Sequence, residues 1–581
     1  MKEAHVNPSQ VVLEMNNVIR QAIDNNSKLK KQKPKTNPWW TPLLSKLRKR
    51  VNRLRRKMQR TKNRTLKDSF RIEYKTIQQE YKRSIDSAKT DSWKRFCDRD
   101  SGNVFGSFLR TLKRNSQQLI LQTLSDGSGN FSSSVDEMAT AILNHFFPEK
   151  EKNSQDQNNI IHTNNQPELF PAIKEHEIKE IISNINIRKS TGPDQLNGTI
   201  VKQLFQHFPT FYVHLFNLCL EKGIFPAPWK QATLKIIPKN YSRTDISAYR
   251  PICLLPILGK VFEKIITNRI LHYLYNNNFI NDNQHGFLKQ KSTITALSKI
   301  NNFLRSSLEQ KYYAVTVSID IKGAFDSVQW DAIIASLSNK KVPTYLLEIM
   351  KNYFKDRKVT YNICNRKFTR NPAQGCPQGS VVGPLAWNLV CDLLLAEFVP
   401  KKDSQITVFA DDITIQARAN NPEEVGRAIN DMLLIVSKWA RDNQLAFSLH
   451  KCCAMCTTKK LTYTNPDIIL NNTPLPYTNS IKLLGVIIDS KLNFNKHIKD
   501  KTNKALQLAQ KLMRYSRQRW GPTKGALSLI YNQVVVPAIT YGCEIWGDKA
   551  QLAYNKKLLF EAERNFGLRM IRGYRTTSRV S

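Results

Sequence analysis

Two apolar, β-branched runs in this chain end in acids. Tyr313 to Asp320 reads YAVTVSID, and Ile406 to Ile415 reads ITVFADDITI, with Asp411-Asp412 between two β-rich arms. The first is the pattern of a buried strand with a carboxylate at its C-terminal end. The second is the pattern of a hairpin with acids at its tip. Like charges set between apolar strands are costly without a cation nearby. Three acids at neighbouring strand ends could hold two divalent ions about 3.5–4 Å apart, which activates an attacking hydroxyl and stabilises a leaving oxygen in phosphoryl transfer. Oxygen-only ligands favour Mg²⁺ or Mn²⁺ over Zn²⁺. For the Asp pair taken alone, a polar turn is the plain alternative; the acid-ended strand at Asp320 and the charge of the chain favour the metal reading.

The surrounding sequence must hold these acids and bring a substrate to them. Gly375, Pro377, Gln378 and Gly379 mark a turn where backbone can approach a ligand closely. Between Ser45 and Arg64 there are eleven basic residues and no acid, including Lys46, Arg48, Lys49, Arg50, Arg53, Arg55, Arg56, Lys57 and Arg60. Leu47, Val51, Leu54 and Met58 recur among them at helical spacing, so the segment reads as a basic helix with a narrow apolar seam. Such a helix suits a phosphate backbone, and a solvated face or an import signal is the bland alternative. Trp39 and Trp40 read as a core plug for this region rather than a stacking platform. Helix is expected to continue over 65–118, a turn at 126–130, another helix over 136–147, and a polar linker at 149–167. Beyond it helices and strands alternate to about residue 490, and 495–575 reads as mostly helical. Cys452, Cys453 and Cys456 contain a C-x₂-C, but without two further ligands at zinc-site spacing they read as core or edge thiols.

The whole chain has 581 residues and a formal net charge of +42, which points to a polyanionic partner, nucleic acid first. The opening MKEAHVNPSQ has no apolar secretory region, and no run of 18 apolar residues suggests a membrane span. Ten cysteines in this length do not make a disulfide scaffold. An intracellular protein is expected, nuclear or cytoplasmic within a ribonucleoprotein, with no membrane partner.

The acids sit within a longer resemblance. FADD at 409–412, preceded by SIDIKGAFDSV at 318–328, resembles the palm of a reverse transcriptase of the LINE-type, non-LTR retrotransposons, close to the Jockey and arthropod ribosomal-DNA-inserting groups. Further motifs stand in the family's order: RKSTGPDQL at 188–196, IIPKNYSRTDISAYRPICLL at 236–255, LGKVFEKIITNRI at 258–270, QHGF at 284–287 and GCPQGSVVGPLAWNLV at 375–390. LLGVIID at 483–489 is similar to the primer grip, YGCEIW at 541–546 and MIRGYRTTS to the thumb and the segment after it, and NPWWTPLL at 37–44 to the segment upstream of the polymerase.

The resemblance implies an α+β right-hand polymerase: fingers and palm over 168–490, with an antiparallel sheet carrying the acids, a helical thumb over 491–581, and a basic helical N-terminal arm over 1–148 that binds template RNA. It implies that Asp320, Asp411 and Asp412, with the backbone carbonyl of Ile321, hold two Mg²⁺ ions. It gives Lys239 and Arg250 the triphosphate of the incoming nucleotide, Phe325 the exclusion of a ribose 2′-hydroxyl, and Gln378 the nucleotide or the template base pair. Asp326 supports the turn rather than touching metal. Lys451 stands where the family places a proton donor to pyrophosphate, although FSLHKCCAMC departs from the commoner Asn-rich form. Leu484 and Gly485 position the primer terminus. The expected partners are template RNA, a DNA primer or nicked target DNA, and dNTPs.

No segment suits the endonuclease, ribonuclease H or CCHC knuckle of some relatives, so a polymerase core from a truncated or fragmentary copy is expected. Two other readings stay open. One is an RNA-dependent RNA polymerase, against which Phe325 argues. The other is a catalytically silent RNA-binding remnant.

Overall fold

The acid-bearing runs form adjacent strands of one antiparallel sheet. In the computed structural model, which describes residues 6–26, 37–99, 134–148, 170–239, 246–399, 401–513, 524–571 and 573, this sheet has four strands in the order Ser404–Phe409, Asp412–Ala419, Tyr313–Asp320, Cys453–Thr457. The turn expected at 126–130, the linker at 149–167 and most of MIRGYRTTS lie outside the described residues.

The first sheet in chain order is built from β1 (Gln231–Pro238), β2 (Tyr249–Leu254), β4 (Lys358–Ile363) and β5 (Arg366–Arg370), in the order β2-β1-β4-β5. β1 runs antiparallel to β2 and parallel to β4. The helix Val135–Phe146 covers this sheet, burying Ala139, Ile142, Leu143 and Phe146 against Ala232, Leu234, Val359 and Tyr361. A full capping box, Ser134 with Glu137, starts that helix.

The second sheet contains β3 (Tyr313–Asp320), β6 (Ser404–Phe409), β7 (Asp412–Ala419) and β8 (Cys453–Thr457). β3 lies between β7 and β8, and its residues from Tyr313 to Val317 are all buried. Its continuous apolar run follows from this central place, since helices pack on the sheet and neither face of β3 is left to water. The helices Thr293–Glu309 and Pro422–Asp442 both lie against it. The helix Val382–Ala396 is buried almost all round, and it joins the main core. After a short ribbon of β9 (Ile469–Leu470) and β10 (Thr473–Pro474) comes the hairpin of β11 (Ser480–Leu483) and β12 (Val486–Asp489).

The chain divides into two compact units, one comprising Met1–Ser27 and Ile120–Leu492, the other Lys28–Leu119 and Asn493–Ser581. The residues expected to form one N-terminal arm over 1–148 are thus shared between the two. The helix α1 (Pro8–Asn26) belongs with the sheets: Val12 and Ile19 join the main core, and Arg20 Nη2 donates to the Pro193 carbonyl at 3.0 Å. Its apolar stripe seals onto the core rather than continuing into the basic segment.

The second unit holds α2 (Pro42–Arg60), α3 (Arg64–Arg99) and the helices beyond residue 493. Thr41 caps α2, accepting from the Leu44 N–H, and Pro42 sits in its first turn. Val51 and Leu54 of α2 pack with Ile77, Tyr74 and Tyr81 of α3. The helix expected over 65–118 is described as far as Arg99. The C-terminal segment is helical as expected, and Ala505, Ile530, Val535 and Phe566 form its own small core. No described helix is long and apolar enough to cross a membrane.

Candidate active site

Strand register sets the acids against one another. Asp320, the last residue of β3, pairs with Asp412, the first of β7. In an antiparallel pair, side chains directly opposite share a face, and like charges there repel. Ala410 and Asp411 make the tight turn between β6 and β7, where Phe409 pairs with Asp412. Ala410 takes φ +54°, a left-handed conformation that is strained for a residue with a side chain.

Three contacts hold that turn. Trp387 Nε1 donates to the Ala410 carbonyl at 2.7 Å, from the buried helix Val382–Ala396. Gly286 lies so close beneath it that an added Cβ would stand 2.3 Å from the Ala410 nitrogen. The Gly286 carbonyl in turn accepts from Asn388 Nδ2 at 2.9 Å, and the His285 N–H donates to Val408 at 2.8 Å. QHGF is thus a clamp on the acidic turn, a role that its sequence does not announce. Gly286 and Trp387 stand in the quoted motifs, but glycine and tryptophan in a buried segment carry no signal of what they touch.

The end of β3 is fixed on the other side. The Asp320 N–H points to Cys452 Sγ at 3.4 Å, and its carbonyl accepts from the Ser448 N–H at 2.8 Å. Cys452 is buried, as expected of a core thiol, and it orients the strand end as well. Ile321 bridges Phe447. Because peptide groups alternate along an extended chain, the Ile321 carbonyl faces away from that bridge, toward the side of β7.

The electrostatics follow from this crowding. Loss of hydration, then the charges of Asp411 and Asp320, push the Asp412 carboxyl up to about 6, and Lys451 opposes the rise. Asp411 is raised too, first by lost hydration and then by Asp320, with Lys451 and Arg250 pulling the other way. Lys451, at the end of a short turn before β8, places Nζ 2.9 Å from Asp320 Oδ2. Among the described residues no three His, Cys, Asp or Glu side chains close into a ready-made metal cage. The donor set nevertheless fits a hard divalent cation: the side-chain donors are all oxygen, the charge of Asp320 raises both Asp411 and Asp412, and a lysine ammonium pairs with Asp320.

Beside the acids lies the turn 375–380. Phe325 follows β3 in the short helix Ala324–Ser327. Its ring meets Trp387 with centroids 5.9 Å apart, and Phe287 at 6.1 Å. The Cys376 N–H donates to the Phe325 carbonyl at 2.8 Å, and the Gly375 N–H to Val328 at 2.7 Å. Gly375, at φ +78°, packs so tightly that a Cβ would stand 2.6 Å from the Asp326 carbonyl oxygen. Gln378 Nε2 donates to both carboxyl oxygens of Asp326 at 3.1 Å. Burial pushes that carboxyl up to about 6, opposed by the Gln378 bond and by the charge of Lys239. Asp326 therefore braces the turn.

Lys239 follows β1, and its Nζ donates to the Ser247 carbonyl at 2.9 Å. Arg250 is exposed on β2, opposite Ile237, with its charge felt at Asp411. Leu484 and Gly485 form the two-residue turn between β11 and β12, at φ +46° and +84°. That pair of positive angles matches the hairpin turn whose twist suits its strands.

In the other unit, Lys46, Arg48, Lys49, Arg50, Arg53, Arg55, Arg56, Lys57 and Arg60 are all exposed on α2, while Leu44, Leu47, Val51 and Leu54 are buried. Trp39 and Trp40 are not the core plug expected of them. Both are half-buried, edge to face at 5.6 Å, with Lys89 over Trp39 at 5.1 Å and Arg48 over Trp40 at 5.8 Å. With cations on each side, the rings serve as a half-wet brace.

Residues 237–488, which span every one of the acids, match the family described as "Reverse transcriptase (RNA-dependent DNA polymerase)". The chain is 29% identical over 535 residues to the "Retrovirus-related Pol polyprotein from type-1 retrotransposable element R1" of Bradysia coprophila, covering 91% of this chain and 52% of that protein. Residues 237–488 thus form a reverse transcriptase (RNA-directed DNA polymerase) region, in a chain similar over most of its length to the R1- and jockey-like non-LTR retrotransposon reverse transcriptases. It is also 29% identical over 401 residues to the "RNA-directed DNA polymerase from mobile element jockey" of Drosophila melanogaster, covering 68% of this chain and 43% of that one. The chain spans about half the length of the curated relatives it matches. Among solved structures, it is similar to apo telomerase from Candida tropicalis at 10% identity and a TM-score of 0.36, over 68% of this chain and 72% of that one.

Proposed function

We propose that this reverse transcriptase unit extends a DNA 3′-hydroxyl on an RNA template, adding dNTPs with release of pyrophosphate, in non-LTR retrotransposition. The observation that carries the reading is the register pairing of Asp320 with Asp412, with Asp411 in the adjoining turn, in a chain of this family. Asp320, Asp411, Asp412 and the Ile321 carbonyl would hold two Mg²⁺ ions, or Mn²⁺. When bound, the ions lower the pKa of the attacking hydroxyl and stabilise the charge of the leaving pyrophosphate.

The chain's own groups do the rest. Arg250 and Lys239 draw the triphosphate to the edge of the acidic site. The Phe325 ring, backed by Trp387, forms the wall that a 2′-hydroxyl would strike. Gln378, steadied by Asp326, meets the nucleotide or its template base. Lys451 holds a proton at Nζ for the departing pyrophosphate. The Leu484-Gly485 turn holds the primer end. The regions 168–490 and 491–581 act as fingers with palm and as thumb of a right-hand polymerase, and the exposed cations of α2 bind the template RNA backbone.

The test is extension of oligo(dT) on poly(rA) with dTTP and Mg²⁺, beside Asp411→Asn. Extension by the wild type alone supports the reading. Equal extension by both proteins overturns it. No extension by either, with RNA binding retained, favours the silent remnant.

A further inference from the structure

A buried acid outside the catalytic trio grips the wall on which Phe325 rests. Glu263 lies in the helix Ile257–Asn276 and is 1% exposed. One carboxyl oxygen accepts the Val381 N–H at 2.6 Å, and the other accepts the Tyr353 hydroxyl at 3.0 Å. Tyr353 is itself held: the Arg357 guanidinium, 2% exposed, stacks over its ring at 4.3 Å and donates Nη1 to its carbonyl at 3.0 Å. Burial raises the Glu263 carboxyl above its ordinary range, and the nearby Arg357 charge and the two donors oppose that rise.

Val381 caps the helix Val382–Ala396, whose first turn faces Phe325. A Cβ on Gly383 would touch Phe325 Cδ1 at 4.0 Å, and Trp387 packs against the same ring, tilted 35° to it, one turn later. The preceding residues form the turn bonded to Phe325 through Cys376 and to Asp326 through Gln378. A carboxylate at a helix N-terminus also faces its unpaired N–H groups and the positive end of its dipole. One side chain thus sets how far this helix can slide away from the Phe325 ring.

We propose that Glu263 is a positioning residue for sugar selectivity: by holding the Val381 N–H it fixes the Gly383–Trp387 face behind Phe325, and so keeps the wall rigid against a ribose 2′-hydroxyl. This rests on the polymerase reading above, and it goes beyond that reading by assigning discrimination to a network that touches no substrate. A wall that can retreat admits the extra oxygen, whereas correct dNTPs lose little.

The experiment compares kcat/KM for dTTP and for UTP on poly(rA)/oligo(dT), each ratio taken within one protein preparation so that the folded fraction cancels. Glu263→Met keeps the volume and removes both acceptors. The dTTP:UTP preference is expected to fall on the order of tenfold, the scale set by a buried donor left unpaired. Glu263→Gln, which can still accept from Val381, should stay within about threefold of wild type on the same scale. Should Glu263→Met fail to fold, Val381→Pro removes the donor instead and should lower the preference alike. An unmoved ratio overturns the inference, as does a loss shared equally by dTTP and UTP with a lowered melting temperature. Wild-type extension that Asp411→Asn abolishes upholds the polymerase reading independently of this result. Absence of wild-type extension would overturn that reading and this inference together.

Discussion

The acidic turn should fail if the glycine beneath it gains a single methyl. In Gly286→Ala the new Cβ would stand 2.3 Å from the Ala410 nitrogen, 3.0 Å from its Cα and 3.3 Å from the Phe409 carbonyl carbon, all backbone atoms. Ordinary contact begins near 3.4 Å, so something must give by roughly 1 Å. Gly286 is held by Asn388 and the turn by Trp387, so neither side yields freely. Overpacking of this kind costs about 1–3 kcal/mol of stability. The larger effect is on rate: Asp411 follows Ala410 directly, and a displacement near 1 Å at a reacting centre lowers turnover about 10²-fold. Single-turnover primer extension at saturating Mg²⁺ and dNTP reads that loss. Gly525→Ala is the control, because a Cβ there meets nothing within 4 Å. If Gly286→Ala extends primers at the wild-type rate, the clamp is not what places Asp411.

Three further outcomes are expected from other parts of the molecule. Asp194 is 6% exposed and burial pushes its carboxyl up to about 6, so the folded state binds its proton more tightly than the unfolded state does. Its ionisation therefore destabilises the fold at neutral pH, and that penalty fades as pH falls from about 6 to the unfolded value of 3.8. Asp194→Asn should gain about 1–3 kcal/mol over wild type at pH 7, the gap narrowing by roughly half at pH 5 and closing only below the unfolded value of 3.8, as urea midpoints would show; an equal gap at pH 7 and pH 5 sinks the argument. Removing Arg55 and Arg56 together should weaken binding of single-stranded RNA whatever its sequence, and flatten the dependence of log K on log salt by about 0.7 per lost phosphate contact. A salt slope equal to wild type would take those two residues off the RNA. Lys451→Met should lower the extension rate on the order of 10²-fold while leaving RNA affinity unchanged, the fall expected when a proton donor is removed.

Sequence pattern was most informative where burial is uniform along an element. Tyr313–Asp320 is one strand, and the acids of ITVFADDITI do sit at a hairpin tip, because continuous β-branched runs leave little choice of period. The seam of α2 was equally readable from its spacing, and Leu44 extends it by one turn. What spacing could not convey is register. The pairing of Asp320 with Asp412 depends on how two strands distant in the chain, β3 and β7, align, and a slip of one residue would turn one acid to the other face. Partners of buried single residues were also invisible. Glu263 looks like one more charge in a helix until Tyr353 and Val381 are placed around it. Nor does chain order convey that Val12 and Ile19 of α1 join the core of the sheets rather than the basic helices next to it in the chain.

The division of the chain into two discontinuous units bears on how the protein is made. Residues 28–119 belong with residues 493–581, yet all of 120–492 is translated between them. At about 5–20 residues per second, the ribosome needs on the order of twenty seconds to a minute to cross that interval. During that time α2 and α3 have only their own seam of Val51, Leu54 and Ile77 to hold them, and an exposed row of cations for any polyanion that passes. An RNA close at hand during synthesis, the message itself being the nearest, would meet the basic helix before the second half of its unit exists.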